Sequence, residues 1–223
     1  MSVRAVATDI DGTITTGGRR IPPESVAAIQ RLEESGIRVI LASGNVLPIA
    51  YGLSQYLGAT GPIVAENGGV VFYKGEVEVL SGGETALAAY ERIKHMQGVE
   101  RLFTDRWRIS EVGLKKGPSI EGIKEALKDL PVDIVATGYA IHIMEKGMNK
   151  MKGVERAAEL LGIETEEILA IGDSHNDMEM LEGCGMSGVP ASAPDELKRV
   201  ADIVADNPYY EGFIEVLERA GLL

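Results

Sequence analysis

Cysteine is almost absent: the chain carries one, Cys184, among 223 residues. That excludes an intramolecular disulfide and any multi-cysteine zinc site, and it suits a reducing interior. Cys184 itself reads as a small buried hydrophobe. Histidine is scarce as well, with three in the chain, and none of them shares a metal-ligand spacing with another histidine or with the cysteine. His95 falls on an expected helix and His142 on an expected strand, both structural by default, and His175 is expected to face solvent or to support its own loop. Positive charge is short: 22 Lys and Arg against 34 Asp and Glu leave a net charge of −12. A nucleic-acid partner is disfavoured, because such affinity comes mostly from Lys and Arg neutralising phosphates. No apolar run approaches the ~18 residues of a membrane span, and no basic stretch at the start leads into a cleavable apolar segment. The expectation is a cytoplasmic protein with no membrane partner, monomeric or homodimeric.

What is present is a 45% hydrophobic chain, enough for one good core with some length left for an appendage. Val3 to Thr8 reads as a buried strand that stops at DIDGT, Asp9 to Thr13. Pro22 and Pro23 then introduce a helix with Val26, Ile29 and Leu32 on one face, Gly36 ends it, and Ile37 to Leu41 is a β-branched strand. A helix from about Pro48 to Leu57 and a strand at Pro62 to Ala65 continue the alternation. This is the grammar of an α/β, doubly wound, Rossmann-like parallel sheet.

The grammar changes at GGVVFYKGEVEVL, where Lys74-Gly75 between two alternating runs reads as a β-hairpin. Helices at Glu84 to Gln97 and Ser119 to Leu130, and strands around Arg106 to Ser110, at Val132 to Ala136 and at Tyr139 to Met144, form an α+β unit of their own. Parallel grammar resumes with a helix at Lys150 to Leu161, a strand at Ile168 to Ile171, helices at Asp195 to Ala201 and Tyr210 to Ala220, and a short Ile203-Val204 strand. The expected organisation is a core from residues 1–80 and 149–223 with an inserted α+β cap at 81–148, beside the carboxyl ends of the strands where loops form a binding crevice.

Three expected parallel strands end in polar residues: Asp9 and Asp11 after the first, Ser43, Gly44 and Asn45 after the second, and Gly172, Asp173, Ser174, Asn176 and Asp177 after the strand at Ile168 to Ile171. Carboxylates gathered at one edge repel by roughly 4 kcal/mol per pair at ~4 Å, so a cation belongs among them. The oxygen-only set Asp9, Asp173 and Asp177 favours Mg²⁺ over zinc. Asp9 and Asp11 alternate on an extended backbone and can face one pocket. Asp9 is placed to attack phosphorus and Asp11 to protonate the leaving alkoxide. Ser43, backbone amides of the Asp9 to Thr13 loop and a lysine, Lys150 with Lys152 in reserve, would relieve the phosphoryl charge. Arg106 and Arg108, at alternate positions of an expected strand, could grip a substrate carboxylate from above.

DIDGT (Asp9 to Thr13), ASG (Ala42 to Gly44), Lys150 and GDSHND (Gly172 to Asp177) resemble, in order, the four motifs of the haloacid dehalogenase superfamily. The separation of Lys150 from Asp173, together with ENGG at Glu66 to Gly69, is similar to the Cof-type branch, whose α+β cap lies between the second and third motifs. The short cap, DRWR at Asp105 to Arg108 and the tail ADIVADNPYYEG resemble the archaeal phosphoglycolate phosphatases. The resemblance implies Asp9 as nucleophile, Asp11 as acid/base and as metal ligand through its backbone carbonyl, Thr13, Ser43, Gly44 and Lys150 on the phosphate, and Asp173 and Asp177 on Mg²⁺. One departure is Met151, where the branch often has glycine. The implied activity is Mg²⁺-dependent hydrolysis of a small phosphorylated metabolite, 2-phosphoglycolate first. The alternatives are a phosphosugar or mannosyl-phosphoglycerate-type phosphatase, a phosphomutase, and more remotely a non-catalytic binding module.

Overall fold

The computed structural model describes residues 2–223, and its central strand shows how the apolar opening run is used. β1 (Ala5–Thr8) is buried along its length. Ala5 and Ala7 join one core cluster and Val6 the other, the period-two alternation of a strand covered on both faces. Helix α1 (Pro23–Glu34) starts with proline at its first position, where the fixed φ is preorganised and the missing N–H is not needed. It buries Ala28, Ile29 and Leu32. β2 (Arg38–Ala42), α2 (Leu47–Leu57) and β3 (Ile63–Ala65) follow. The hairpin of β4 (Val70–Tyr73) and β5 (Glu76–Val79) turns at Lys74 and Gly75, both left-handed with φ of 47° and 92°.

The middle of the chain forms α3 (Glu84–Ile93), β6 (Val112–Lys115), α4 (Ile120–Leu127), β7 (Val132–Ala136) and β8 (Ala140–Glu145). The three strands make an antiparallel sheet in the order β6-β8-β7. One face of it is sealed by Ala86, Ala89, Ile93, Ile123 and Leu127 from the two helices. The chain returns through α5 (Lys150–Leu161), β9 (Ile168–Ile171), α6 (Met178–Gly183), β10 (Met186–Val189), α7 (Asp195–Val200), β11 (Ile203–Val204) and α8 (Tyr209–Arg219).

The large sheet has eight strands in the order β11-β10-β9-β1-β2-β3-β4-β5. Its strands are parallel from β11 to β3, and the hairpin adds two antiparallel strands at one edge. Helices α5, α6 and α7 pack on one face and α1, α2 and α8 on the other. This is the doubly wound α/β fold with an added cap. Register decides where the site lies: Thr8 is level with Leu41 on one side and with Ile171 on the other, so the three strands end within one residue of the same height.

Three sequence expectations differ from what is observed. Arg106 to Ser110 is not a strand: a 3-10 turn occupies Phe103–Trp107, and the strand falls later, at β6. The cause is Asp105, whose buried carboxylate accepts from the Gly113 amide and from Arg101 and so ties the turn to β6. Arg106 and Arg108 therefore do not share a strand face. Arg106 lies exposed over the Phe103 and Trp107 rings, at 4.6 and 5.3 Å from their centroids, whereas the Arg108 side chain is buried. The second difference is β10, absent from the sequence reading, where Ser187 and Gly188 interrupt the apolar pattern. The helices expected to run to Gln97 and Leu130 end at Ile93 and Leu127.

Candidate active site

Each acid follows from a strand end. The amide of Asp9 still pairs with the Ile171 carbonyl (2.9 Å), and that of Ser43 with the Val64 carbonyl (2.9 Å), so the ladder fixes both residues as they leave the sheet. Asp9, Asp173 and Asp177 each present a carboxylate oxygen within 4.8 Å of the others. Gly12 makes the approach possible: its φ is +95°, and a Cβ there would stand 2.2 Å from Asp173 Oδ2. Asp177 is fully buried and holds its own loop, its Oδ2 accepting from the amides of Asp173 (3.1 Å) and Ser174 (3.0 Å).

Lys150, at the first turn of α5, is fully buried and donates from Nζ to Asp9 Oδ1 and to Asp177 Oδ1, each at 2.6 Å. Lys152 is exposed, so of the two lysines Lys150 is the one that reaches the acids. One ammonium against three carboxylates leaves an excess of negative charge. Burial pushes the Asp9 carboxyl up to about 7, with Lys150 opposing and Asp177 and Asp11 adding to the rise. Asp173 is pushed up to about 8, again by burial first and then by Asp9 and Asp177. The Lys150 ammonium is stabilised in turn: burial disfavours its charge, but Asp177 and Asp9 outweigh burial and raise its pKa. An all-oxygen donor set that is over-charged for its one lysine fits a hard divalent cation.

The other expected residues are distributed around this centre. The Asp11 carboxylate stands outside the triple cluster, gripped by Arg19 through Nε (2.7 Å) and Nη2 (3.1 Å) and by Asn45 Nδ2 (2.8 Å). Thr13 is buried, and its hydroxyl donates to Asp173 Oδ1 at 3.2 Å. Ser43 and Gly44 border a cavity of ≈ 530 Å³ together with Asp9, Asp11 and Asp173. Its far wall comes from the smaller sheet and its loops: Phe103, Thr104, Arg108, Tyr139 and His142. A second cavity, of ≈ 630 Å³, runs along β7 and reaches Lys150 and Asn176 but none of Asp9, Asp11 and Asp173.

Glu111 at this junction was not singled out by sequence, whereas Asn67 belongs to the ENGG stretch that was. Asn67, left-handed with φ of 52°, donates to Glu111 Oε2 (2.9 Å) and accepts from Asn176 (2.8 Å), joining the acid loop to the cap. Glu111 is buried and also pairs with His142 Nδ1 at 2.8 Å and with Arg108 Nη1. Burial alone would raise the Glu111 pKa, but His142 and Arg108 outweigh it and hold the carboxyl below its ordinary range. His142, structural by default in the sequence, thus borders the cavity. Tyr139 covers Arg19, whose guanidinium is 4.4 Å from the ring centroid. The one signal available for His142 was its place between Ile141 and Ile143, which face the cap core and leave the intervening side chain to the other side. Cys184 packs against the core, and burial pushes its thiol up to about 12.

Comparison with known proteins accords with this geometry. The model of the haloacid dehalogenase-like hydrolases matches residues 6–96 and 107–217. A phosphoglycolate phosphatase of Methanothermobacter thermautotrophicus is 40% identical over 217 residues, covering 97% of this chain and 98% of that protein. One from Aeropyrum pernix is 37% identical, covering 98% and 93%. A crystal structure from Thermoplasma acidophilum superposes with a TM-score of 0.94 at 32% identity over the full length of both chains. A subclass IIB sugar phosphatase, 20% identical, has the same fold, with a TM-score of 0.84 over 99% of this chain and 100% of its own.

Proposed function

This chain belongs to the haloacid dehalogenase-like hydrolases and is a phosphoric monoester hydrolase, and from that premise we propose that it hydrolyses 2-phosphoglycolate to glycolate and phosphate through an aspartyl-phosphate on Asp9. The observation that carries this reading is the convergence of Asp9, Asp173 and Asp177 around Lys150 at one strand edge. Residues 81–148 act as the cap and residues 1–80 and 149–223 as the catalytic core.

Asp9, Asp173 and Asp177, with the backbone carbonyl of Asp11, would hold Mg²⁺, which when bound supplies charge relief to the carboxylates and the phosphoryl oxygens. Lys150 takes Asp9 Oδ1 and so orients the carboxylate, leaving its other oxygen to attack phosphorus. The phosphorus–alkoxide bond breaks as Asp11, freed from its ion pair with Arg19 and carrying a proton, gives that proton to the leaving oxygen. Water then attacks the acyl phosphate, returns a proton to Asp11, and frees phosphate and the Asp9 carboxylate. Ser43 and the Gly44 backbone flank the phosphoryl group, and the cap excludes bulk water from it. Small phosphorylated metabolites are the partners, nucleic acid is not, and the place of action is cytoplasmic.

The test is phosphate release from a panel of esters with and without chelator. Phosphoglycolate should be turned over, turnover should stop in chelator, and Mg²⁺ should restore it. Fast turnover of hexose phosphates with none of phosphoglycolate would transfer the assignment to a phosphosugar phosphatase.

A further inference from the structure

The cavity has an acidic floor and a ceiling of different chemistry. On the cap side, Arg108 and His142 border it. The Arg108 side chain is 3% exposed and fixed from three directions. Its Nη1 donates to Glu111, its Nη2 donates to the Gly44 carbonyl at 3.0 Å, and its head lies against Gly113, where a Cβ would stand 2.7 Å from Nε. Nε has no hydrogen-bond partner among the described residues, and the Asp105 carboxylate is 3.9 Å away from it, beyond hydrogen-bond reach. Of the five N–H groups of the guanidinium the protein thus meets two, and each terminal nitrogen keeps a second N–H. Glu111 balances the charge, but donor groups left unmet at this depth are costly until an acceptor reaches them.

Glu111 is not that acceptor's competitor, because its oxygens are already taken by His142, Arg108 and Asn67. It acts as a brace: one carboxylate fixes the guanidinium and, through Nδ1, the imidazole side by side. Resting on the phosphatase reading of the same cavity, we propose that Arg108 recognises a carboxylate on the leaving alcohol, and that Glu111 is the positioning residue that aims Arg108 and His142 at it. The link from Arg108 to Gly44, next to Ser43, ties this anion site closely to the phosphate loop. The structure therefore selects a short phosphorylated hydroxy acid over a hexose phosphate, and a fork of two N–H groups suits the two oxygens of a carboxylate.

Two measurements on the full chain with Mg²⁺ test this. In the first, kcat/KM is compared for 2-phosphoglycolate and for ethyl phosphate, which replaces the carboxylate by a methyl group. The unmodified protein should favour the acid, and Arg108→Gln should lower kcat/KM for phosphoglycolate by about 30-fold or more with a much smaller change for ethyl phosphate. Glu111→Gln should erode the same ratio, mainly through KM, and Arg108→Lys should recover part of it. In the second, calorimetry compares 3-phosphonopropionate with propylphosphonate, two non-hydrolysable ligands differing in the carboxylate; the unmodified protein should bind the former more tightly, a result that needs no variant to fold. Equal kcat/KM for both esters together with equal binding of both phosphonates overturns the proposal and leaves the phosphatase reading standing. Preferential phosphonopropionate binding, lost in Arg108→Gln, in a protein that hydrolyses neither ester would sink the phosphatase reading and keep the carboxylate site.

Discussion

Glu66 stands at the seam between core and cap with its carboxylate accepting from the amides of Ile109 and Ser110, both reaching Oε2 (3.0 and 2.9 Å), and from the Ser110 hydroxyl (2.9 Å). Burial raises its pKa, opposed by those hydrogen bonds from Ser110 and Ile109. Replacing it by leucine keeps much of the volume but leaves two amides and a hydroxyl without their acceptor. Glu66→Leu should lower unfolding stability by about 1–3 kcal/mol, measured by denaturant titration. A change within a few tenths would mean that the seam does not depend on this carboxylate. The convergence of Asp9, Asp173 and Asp177 was legible in the sequence, because carboxylates placed directly after apolar strands have few structural uses. The contacts made by Glu111, His142 and Asn67 were not. Their partners lie 31, 44 and 109 residues away in the chain, and no local pattern announces a hydrogen bond across that separation.

At the scale of elements, period-two burial in β1 and the Pro-started, Gly-ended helices were readable because each obeys a local rule. The 3-10 turn at Phe103–Trp107 was not, since it depends on Asp105 reaching forward to the Gly113 amide. β10 escaped because a strand inside a sheet can be made from Met-Ser-Gly-Val once its neighbours supply the ladder. The turn also presents Arg108 to the cavity, so its integrity should register in function. Asp105→Ala removes the acceptor of the Gly113 amide and the partner of Arg101. It should raise KM for phosphoglycolate several-fold with a smaller change in kcat, as expected when binding rather than the chemical step is loosened. Unchanged steady-state constants would show that the turn does not hold the cavity wall.

For the whole molecule, the net charge of −12 and the converging acids make stability depend on what neutralises them. Asp9 and Asp173 have folded-state pKa values of about 7 and about 8, above the ordinary 3.8, chiefly from burial. A raised folded pKa means that the folded form holds the proton more tightly. The stabilisation is therefore full below 3.8 and is lost as pH climbs through about 7 and about 8. In chelator, the melting temperature should fall across that window, and Mg²⁺ should add more to it at the alkaline end than at the acid end. A Mg²⁺ increment independent of pH would mean that these acids do not bind the ion. The doubly wound parallel class of the large sheet was legible from alternating strand and helix patterns, whereas the way the cap meets the core was not, because Asn67, Glu66 and Arg108 acquire their roles only when the two sheets are brought together.

The account rests on Asp9 as the group that takes the phosphoryl unit. Acid quenching during turnover of phosphorus-labelled phosphoglycolate, followed by peptide mapping, examines this directly. Label should appear on the peptide carrying Asp9, and Asp9→Asn should carry none and lose about 10⁴-fold or more in kcat. Steady turnover with no labelled protein, or an Asp9→Asn protein that works at near the original rate, would contradict it.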